Sequence, residues 1–408
     1  MKKIFSFLIF LIVSNITFSQ QWTNYTTLNS GICGSNIHSI AIDNNGTRWF
    51  GANGNGVSRF DGTNWTSYYY SDGLVNISVQ TIAVDLQNKK WIGCGGGISV
   101  FNDTVWTTYT TADSLPSPYI NALAIDTNGD MWIGSGIGSI GGVTKHHDTT
   151  WTTYTTLEGL ASNAVNALFV DSHNNIWAGT DNGVSKFDGT NWTTYNTSNS
   201  GLAANFVATV AVDKIGNAWF GLTGYGVSKF DGTNWTTFNM SNSGIASTDI
   251  ISIAIDSLGN IWFGAYDNGV SKFDGTNWTY YNTGNSNIAG NSIWAILIDN
   301  QGKIWFGIDD RNGGTGGVSV LNESVGINEQ IVYPTSFSVL PNPASDCINI
   351  NIPYAANIEI TNINGQIIKT IDSSSKSTTV DLSIFPSGVY IVRVKTDKEI
   401  ITKKFIKE

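Results

Sequence analysis

Seven residues, each five positions before an aspartate, carry the most varied chemistry in an otherwise repetitive chain: His38, Gln80, Asn121, Asn166, Ala208, Ile251 and Trp294. An aromatic ring offers a stacking face and side-chain amides offer neutral hydrogen bonds, so such residues around one concave mouth suit a sugar. The competing reading makes Trp294 a core residue that plugs a channel. A second set lies in segments of uneven length and includes Asn53, Tyr225, Tyr266, Asp267, Asp309, Asp310 and Arg311. Diversity of loops on a repeated scaffold is where recognition normally resides. The candidate ligand-binding residues are therefore Trp294, His38, Gln80, Asn121, Asn166, Tyr225, Tyr266, Asp267, Asp309, Asp310 and Arg311.

Catalysis finds little support in the same residues. His146, His147 and His173 fall in or beside turns away from His38, and no Ser/His/Asp group or metal-ligating cluster is apparent. Asp309 and Asp310 are adjacent on one loop, which does not define two carboxyl groups flanking a glycosidic bond. They read as a solvated pair. No catalytic residue, metal or cofactor is expected.

What must position these residues is a repeat of about 43 residues, marked by two tryptophan series. One follows a hydrophobic strand in a W-(F/I/A)-G context: Trp49, Trp91, Trp132, Trp177, Trp219, Trp262 and Trp305. The other sits in W-T: Trp22, Trp65, Trp106, Trp151, Trp192, Trp235 and Trp278. Each period holds four short strand-like runs, as in NALAID, MWIG, GVSKFD and NWTTYNT, which is the content of one propeller blade. The chain enters the repeats on a W-T strand at Gln21 and leaves them after the other three strands, so the N-terminal strand completes the last unit. The prediction is a seven-bladed β-propeller closed by its N-terminal strand. The Trp residues are expected to fill the seams between blades.

The first connection of every unit is D-x-x-G or D-x-x-N, from Asp43/Gly46 to Asp299/Gly302. Asp at the start of a tight turn accepts backbone N–H bonds, and Gly or Asn at the fourth place tolerates positive φ. One carboxylate per turn supplies too few oxygens for a calcium array. In an up-and-down blade these turns share a uniform face with the D-G-T-N turns, whose N-W-T reads as a turn rather than a glycosylation site. The variable set belongs to the opposite face. Its flanks are aliphatic or small, so each position five residues before the Asp is expected to vary alone.

Composition agrees and excludes several function classes. Of 408 residues, 44 are Gly, 15 are Trp and only 13% are charged, which suits a turn-rich β protein. The net charge of −10 repels phosphate backbones and argues against nucleic-acid binding. Residues 1–19 carry Lys2 and Lys3, an apolar run from Ile4 to Val13 and small residues at Thr17 and Ser19, the pattern of a cleaved signal peptide. No later run has the length of a membrane helix, so no transmembrane segment is expected in the mature protein. Cys33, Cys94 and Cys347 form no zinc spacing and no disulfide framework. Cys33 and Cys94 fall on one face of adjacent blades, which raises a disulfide between them as a hypothesis.

The unit resembles the two-component regulator propeller repeat, most clearly in IAIDSLGNIWFGAYDNGVSKFDG from Ile253 and LFVDSHNNIWAGTDNGVSKFDG from Leu168. The resemblance covers residues 20–322. In that family the propeller is typically the sensor half of a kinase receptor. This chain shows no membrane helix, kinase or response-regulator segment, so signalling by phosphotransfer is not implied.

After a linker at 323–336, residues 337–408 lack Trp and alternate apolar residues around N-G and P-S-G turns, which predicts a small C-terminal antiparallel β-sandwich. Pro341, Asn342, Pro343 and Ala344, the turn at Asn364-Gly365, Gly388-Val389-Tyr390, and the basic end at Lys403 and Lys404 resemble the type A C-terminal sorting domain of type IX secretion. The resemblance implies engagement of the type IX machinery, passage through the periplasm and across the outer membrane, removal of the domain near the linker, and release or surface attachment. The expectation is an all-β, secreted or cell-surface binding module for an extracellular glycan. A protein-interaction or adhesin scaffold is the alternative, and a polysaccharide-cleaving enzyme comes third.

Overall fold

The computed structural model describes residues 21–322, 338–351, 356–363, 365–373, 377–395 and 400–408. The expected signal segment, the linker and Asn364 lie outside the described residues. The chain divides into two compact units, with the boundary between Ser324 and Val325.

The first unit is seven four-stranded antiparallel sheets, six of them in sequential strand order. Blade 1 runs Ile37–Ile42, Arg48–Ala52, Gly56–Phe60 and Trp65–Tyr68 from the axis outward. Blade 7 is built from Gly290–Ile298, Ile304–Gly314 and Gly317–Asn322, and its outer strand is Gln21–Tyr25, paired from Gln21↔Asn322 to Tyr25↔Val318. The N-terminal strand therefore closes the ring, as the order of the Trp series predicts.

Each blade is held by the same local device. In the first turn, Asp43 Oδ1 accepts the backbone N–H groups of Asn45 and Thr47 at 3.0 and 2.9 Å, while its Oδ2 accepts the indole N–H of Trp49 at 3.1 Å. The indole bond recurs from Trp91 to Asp85, Trp132 to Asp126, Trp177 to Asp171, Trp219 to Asp213, Trp262 to Asp256 and Trp305 to Asp299. The invariant Asp and the invariant Trp are thus partners, and a buried indole is not left unsatisfied. Burial pushes the Asp171 carboxyl up, but bonds from Asn175, Trp177 and two backbone amides outweigh it and hold the group below the ordinary carboxylate range.

The glycine of each W-x-G sets how closely blades approach. A Cβ on Gly264 would sit 2.1 Å from Ser252 Oγ and 2.7 Å from the Ile293 carbonyl oxygen of the next blade, and one on Gly307 would sit 2.7 Å from the Ile37 carbonyl oxygen across the ring closure. The W-x-G Trp residues are all buried, whereas the W-T Trp residues are half-buried at the outer side of the seams. Only the first series therefore fills the seams as fully as expected. Between blades 7 and 1, Arg48 donates to Asp299 Oδ2 at 2.8 Å and lies 5.1 Å from the centre of Trp305.

The three cysteines are unpaired. The Cys33–Cys94 disulfide is not formed, because the two side chains belong to different seams: Cys94 is buried between blades 1 and 2, and Cys33 packs between blades 7 and 1.

The second unit is a sandwich of a three-stranded and a four-stranded sheet around one core that includes Ile348, Ile350, Ile358, Val392 and Phe405. The sorting motif residues occupy its edge and core. Asn342 accepts from the Ile406 amide at 2.9 Å and donates to the Lys404 carbonyl at 3.1 Å, which ties the Pro341-Asn342-Pro343 segment to the last strand. Gly388 opens the strand Gly388–Lys395, and Tyr390 is buried against Phe385 and Phe405 with its hydroxyl donating to the Pro386 carbonyl. Lys403 and Lys404 stand exposed on the last strand.

Candidate functional site at the channel mouth

The innermost strand of every blade carries a β-bulge at one place. In blade 1 the register passes from Ile37↔Ala52 to Ser39↔Gly51, which leaves His38 without a cross-strand partner. The same step skips Gln80, Asn121, Asn166, Ala208, Ile251 and Trp294. A bulge inserts one residue, re-aims its side chain and frees it from pairing constraints. All seven bulged residues line one cavity of about 590 Å³. That gives the sequence pattern its physical reason: the position varies because no residue stands opposite it.

The cavity also takes Phe206, Thr223, Asp249 and Tyr266 into its wall. Phe206 and Asp249 stand two residues before a bulge, and the equivalents elsewhere are Asn36, Ser78, Tyr119, Ala164 and Ser292. The expectation that one position varies alone is therefore corrected: a second varied position precedes it. Thr223 and Tyr266 open the second-to-third loops of their blades, at the place held by Asn53 in blade 1. Period-two alternation is the signal that could have placed Phe206 and Asp249 on the same side as Ala208 and Ile251.

The seven blades contribute unequally. Blades 1 to 4 supply His38, Gln80, Asn121 and Asn166, a polar half, while blades 5 to 7 supply the aromatic residues, two aliphatic residues, Thr223 and Asp249. Trp294 is neither a buried plug nor a free platform. Its indole stacks on His38 with ring centres 4.1 Å apart and planes 4° from parallel, and Tyr266 meets it edge-on at 6.1 Å. Arg311 lies 4.9 Å from the indole centre. Its Nη2 is also 3.4 Å from His38 Nε2, so the guanidinium is on the imidazole side of the ring or at its edge. Trp294 is half-buried and lines the cavity between His38 of blade 1 and Tyr266 of blade 6.

Behind the wall runs a polar network. His38 Nδ1 faces Gln80 Oε1 and Nε2 faces Asp309 Oδ2, each at 3.2 Å. Arg311 Nε donates to Asp309 Oδ2 at 2.7 Å. Burial pushes His38 below the ordinary histidine range, against the bonds to Asp309 and Gln80 that raise it. Burial likewise pushes Asp309 up, but the bonds from Arg311 and His38 outweigh it and the carboxyl lies low. Asp309 and Asp310 are therefore not a solvated pair. The strand Ile304–Gly314 extends past them, so successive side chains point to opposite sides: Asp309 is buried, and exposed Asp310 accepts from Ser35 at 2.9 Å.

The remaining candidates lie apart. Tyr225 is exposed at its loop tip, and Asp267 accepts from Ser247 Oγ at 2.8 Å; neither is a lining residue. Asp309 and Arg311 support the wall without lining it. Among the described residues, no group of three or more His, Cys, Asp or Glu is arranged to hold a metal ion. His147 pairs with Asp130 on the opposite face, where it is 61% exposed.

Comparison with known proteins agrees with this architecture. Residues 338–408 match the secretion system C-terminal sorting domain, and residues 114–136, 159–182 and 287–310 match the two component regulator propeller. The chain thus carries two component regulator propeller repeats followed by a type IX secretion sorting domain, which directs it to the cell surface or beyond. A search of curated proteins finds no match. Among solved structures, PorZ, a bacterial surface component of the type IX secretion system of Porphyromonas gingivalis, aligns at 16% identity and a TM-score of 0.60 over 93% of this chain and 60% of its own. An extracellular domain ascribed to a hybrid two component system of B. thetaiotaomicron aligns at 20% and 0.61 over 91% of this chain and 55% of its own. Virginiamycin B lyase from Staphylococcus aureus aligns at 14% and 0.60 over 74% of this chain and 99% of its own. The chain thus spans little more than half the length of the first two structures, and identities this low speak for the fold alone. No helix among the described residues is long and apolar enough to cross a membrane.

Proposed function

We propose that this chain is a secreted or cell-surface binding module whose channel mouth receives an extracellular glycan, and that it acts without catalysis. The observation that carries the reading is the cavity of about 590 Å³ lined by seven bulged residues, with an indole ring and side-chain amides on the same wall. Aromatic faces and fixed amides are the two features a sugar ring uses. In this reading residues 1–19 are removed as a signal peptide, residues 20–322 are the functional domain, and residues 337–408 are cleaved near the linker 323–336 after type IX export. Phe206 and Tyr225, both substantially exposed on the same face, favour a protein partner as the second reading. Glycan-array binding of the full chain separates the two: retention of defined glycans that is lost in Trp294→Ala supports the proposal, and silence across the array gives the protein partner precedence. Release of new reducing ends from a bound polysaccharide would instead establish an enzyme.

A further inference from the structure

The hydrogen-bonding capacity of the wall is one-sided. Both Nδ2 contacts of Asn121 go to backbone carbonyls, Gly136 at 2.9 Å and Val165 at 3.0 Å. Those of Asn166 go to the Val207 carbonyl at 3.2 Å and Asp181 Oδ1 at 3.0 Å. Because every partner is an acceptor, the orientation of both amides is fixed and each turns its Oδ1 toward the cavity. Asp249 adds a carboxylate whose Oδ1 accepts the Gly224 amide at 2.7 Å, and no cation among the described residues pairs with it. Against these acceptors, and apart from the Tyr266 hydroxyl, the wall offers the Thr223 hydroxyl and one N–H of Gln80, whose other polar groups engage Ser78 and His38.

The charge and the aromatic rings point the same way. The Arg311 guanidinium is committed to Asp309, so Asp249 is the uncompensated charge of the lining. It stands among Phe206, Tyr266 and Trp294, contributed by three consecutive blades. An aromatic surround with a carboxylate favours a cation through the ring quadrupoles, and the net charge of −10 draws cations toward the molecule.

We propose that the group received at the channel mouth is a protonated amine of an amino sugar, held by Asp249 beside the rings of Phe206, Tyr266 and Trp294, with the sugar hydroxyls donating to Asn121 and Asn166. This rests on the glycan reading and narrows it to glycans that carry free amino groups. An N-acetylated sugar has lost both the charge and two of the three N–H donors, and a uronic acid would meet Asp249 with a like charge.

The test is calorimetric titration of the full chain, in mildly acidic low-salt buffer, with three hexamers, a β-1,4-linked glucosamine hexamer, its fully N-acetylated counterpart and a neutral glucose hexamer, and with a lysine tripeptide as a fourth probe. The glucosamine hexamer should bind at least about 10-fold tighter than the other two hexamers, and Asp249→Asn should weaken it by about 10- to 100-fold, the range for losing one charge-assisted hydrogen bond. Asn at 249 retains the acceptor for Gly224, and Asp148→Asn on the opposite face should leave binding unchanged. Should Asp249→Asn fail to fold, the preference among the three hexamers and its loss at high salt carry the test on the unaltered chain. Equal or tighter binding of an uncharged hexamer overturns the amine and leaves the glycan reading standing. Binding of the lysine tripeptide with no response to any hexamer overturns the glycan reading and the amino sugar with it, whereas silence from all four probes overturns the amino sugar.

Discussion

Replacing Gly264 by Ala tests whether blade spacing is fixed by contact across the seam. The added Cβ would lie 2.1 Å from Ser252 Oγ and 2.7 Å from the Ile293 carbonyl oxygen. Ser252 Oγ donates to that same carbonyl at 2.9 Å, so moving the hydroxyl aside breaks a buried bond and moving the carbonyl shifts the innermost strand of blade 7. Overpacking costs about 1–3 kcal/mol and a lost hydrogen bond about 0.5–1.5 kcal/mol, together about 2–4 kcal/mol. At roughly 2–3 °C per kcal/mol for a domain of this size, the propeller should melt about 4–12 °C lower. All 15 Trp lie at or before Trp305, so Trp fluorescence on heating reads the propeller without interference from the sorting domain. The comparison variant is Gly259→Ala, where φ is +88° but no atom lies within 4 Å of the added Cβ, and the cost is the left-handed strain of about 1 kcal/mol. If Gly264→Ala melts no lower than Gly259→Ala, the seams are compliant and the glycine is not what sets their spacing.

Three further outcomes follow from the same geometry. Asp171 and Asp299 have folded-state carboxyls held below their ordinary value, so their stabilisation is complete above about pH 4 and is lost as pH falls through the folded value; thermal melts should be level from about pH 5 upward and fall steeply below about pH 4, less so in Asp171→Asn. Arg48→Met leaves the fully buried Asp299 carboxylate without its cation across the ring closure, and chemical denaturation should register a loss of about 3–5 kcal/mol, against almost none for Arg59→Met. Cys347 is exposed, whereas burial pushes the Cys33 thiol up and that of Cys94 up to about 12. Native alkylation should therefore label Cys347 alone, denaturation without reductant should expose all three thiols, and recovery of a cross-linked Cys33–Cys94 peptide would contradict the separate seams.

Periodicity made the ring legible. A Trp and an Asp that recur six residues apart in seven units are visible to inspection, and so is a Gln21–Tyr25 strand that has no partner until Asn322 is reached. The bond between that Trp and that Asp was not legible, because each residue already had a sufficient reason of its own, one as core and one as turn. The lining of the candidate site was legible where the repeat stops repeating, at His38, Gln80, Asn121, Asn166 and Trp294. It was not read at Asp249 and Phe206, because each stands one residue ahead of its strand, Ile250–Ile255 and Val207–Val212, before the repeated pattern begins. Asp309 was misjudged for a related reason, since a strand that continues to Gly314 buries a side chain that a loop would have exposed.

The bulge also explains how one fold can keep its architecture while its mouth changes. The contacts that recur in every blade are not made by the bulged side chains: the Trp–Asp bonds, the glycine seams and the strand ladders all lie outward of them. A residue with no cross-strand partner can pass from Ala208 to Trp294 without disturbing the register on either side. Its side chain is nevertheless held at a fixed height on the axis, because the residues before and after it, such as Ile37 and Ser39, are pinned by pairing. Seven positions at one level therefore compose the wall, coupled where His38 meets Trp294 and Gln80, and the division into an amide half and an aromatic, acidic half follows from residue choice. The mouth is thus varied at positions on which the architecture of the ring does not depend.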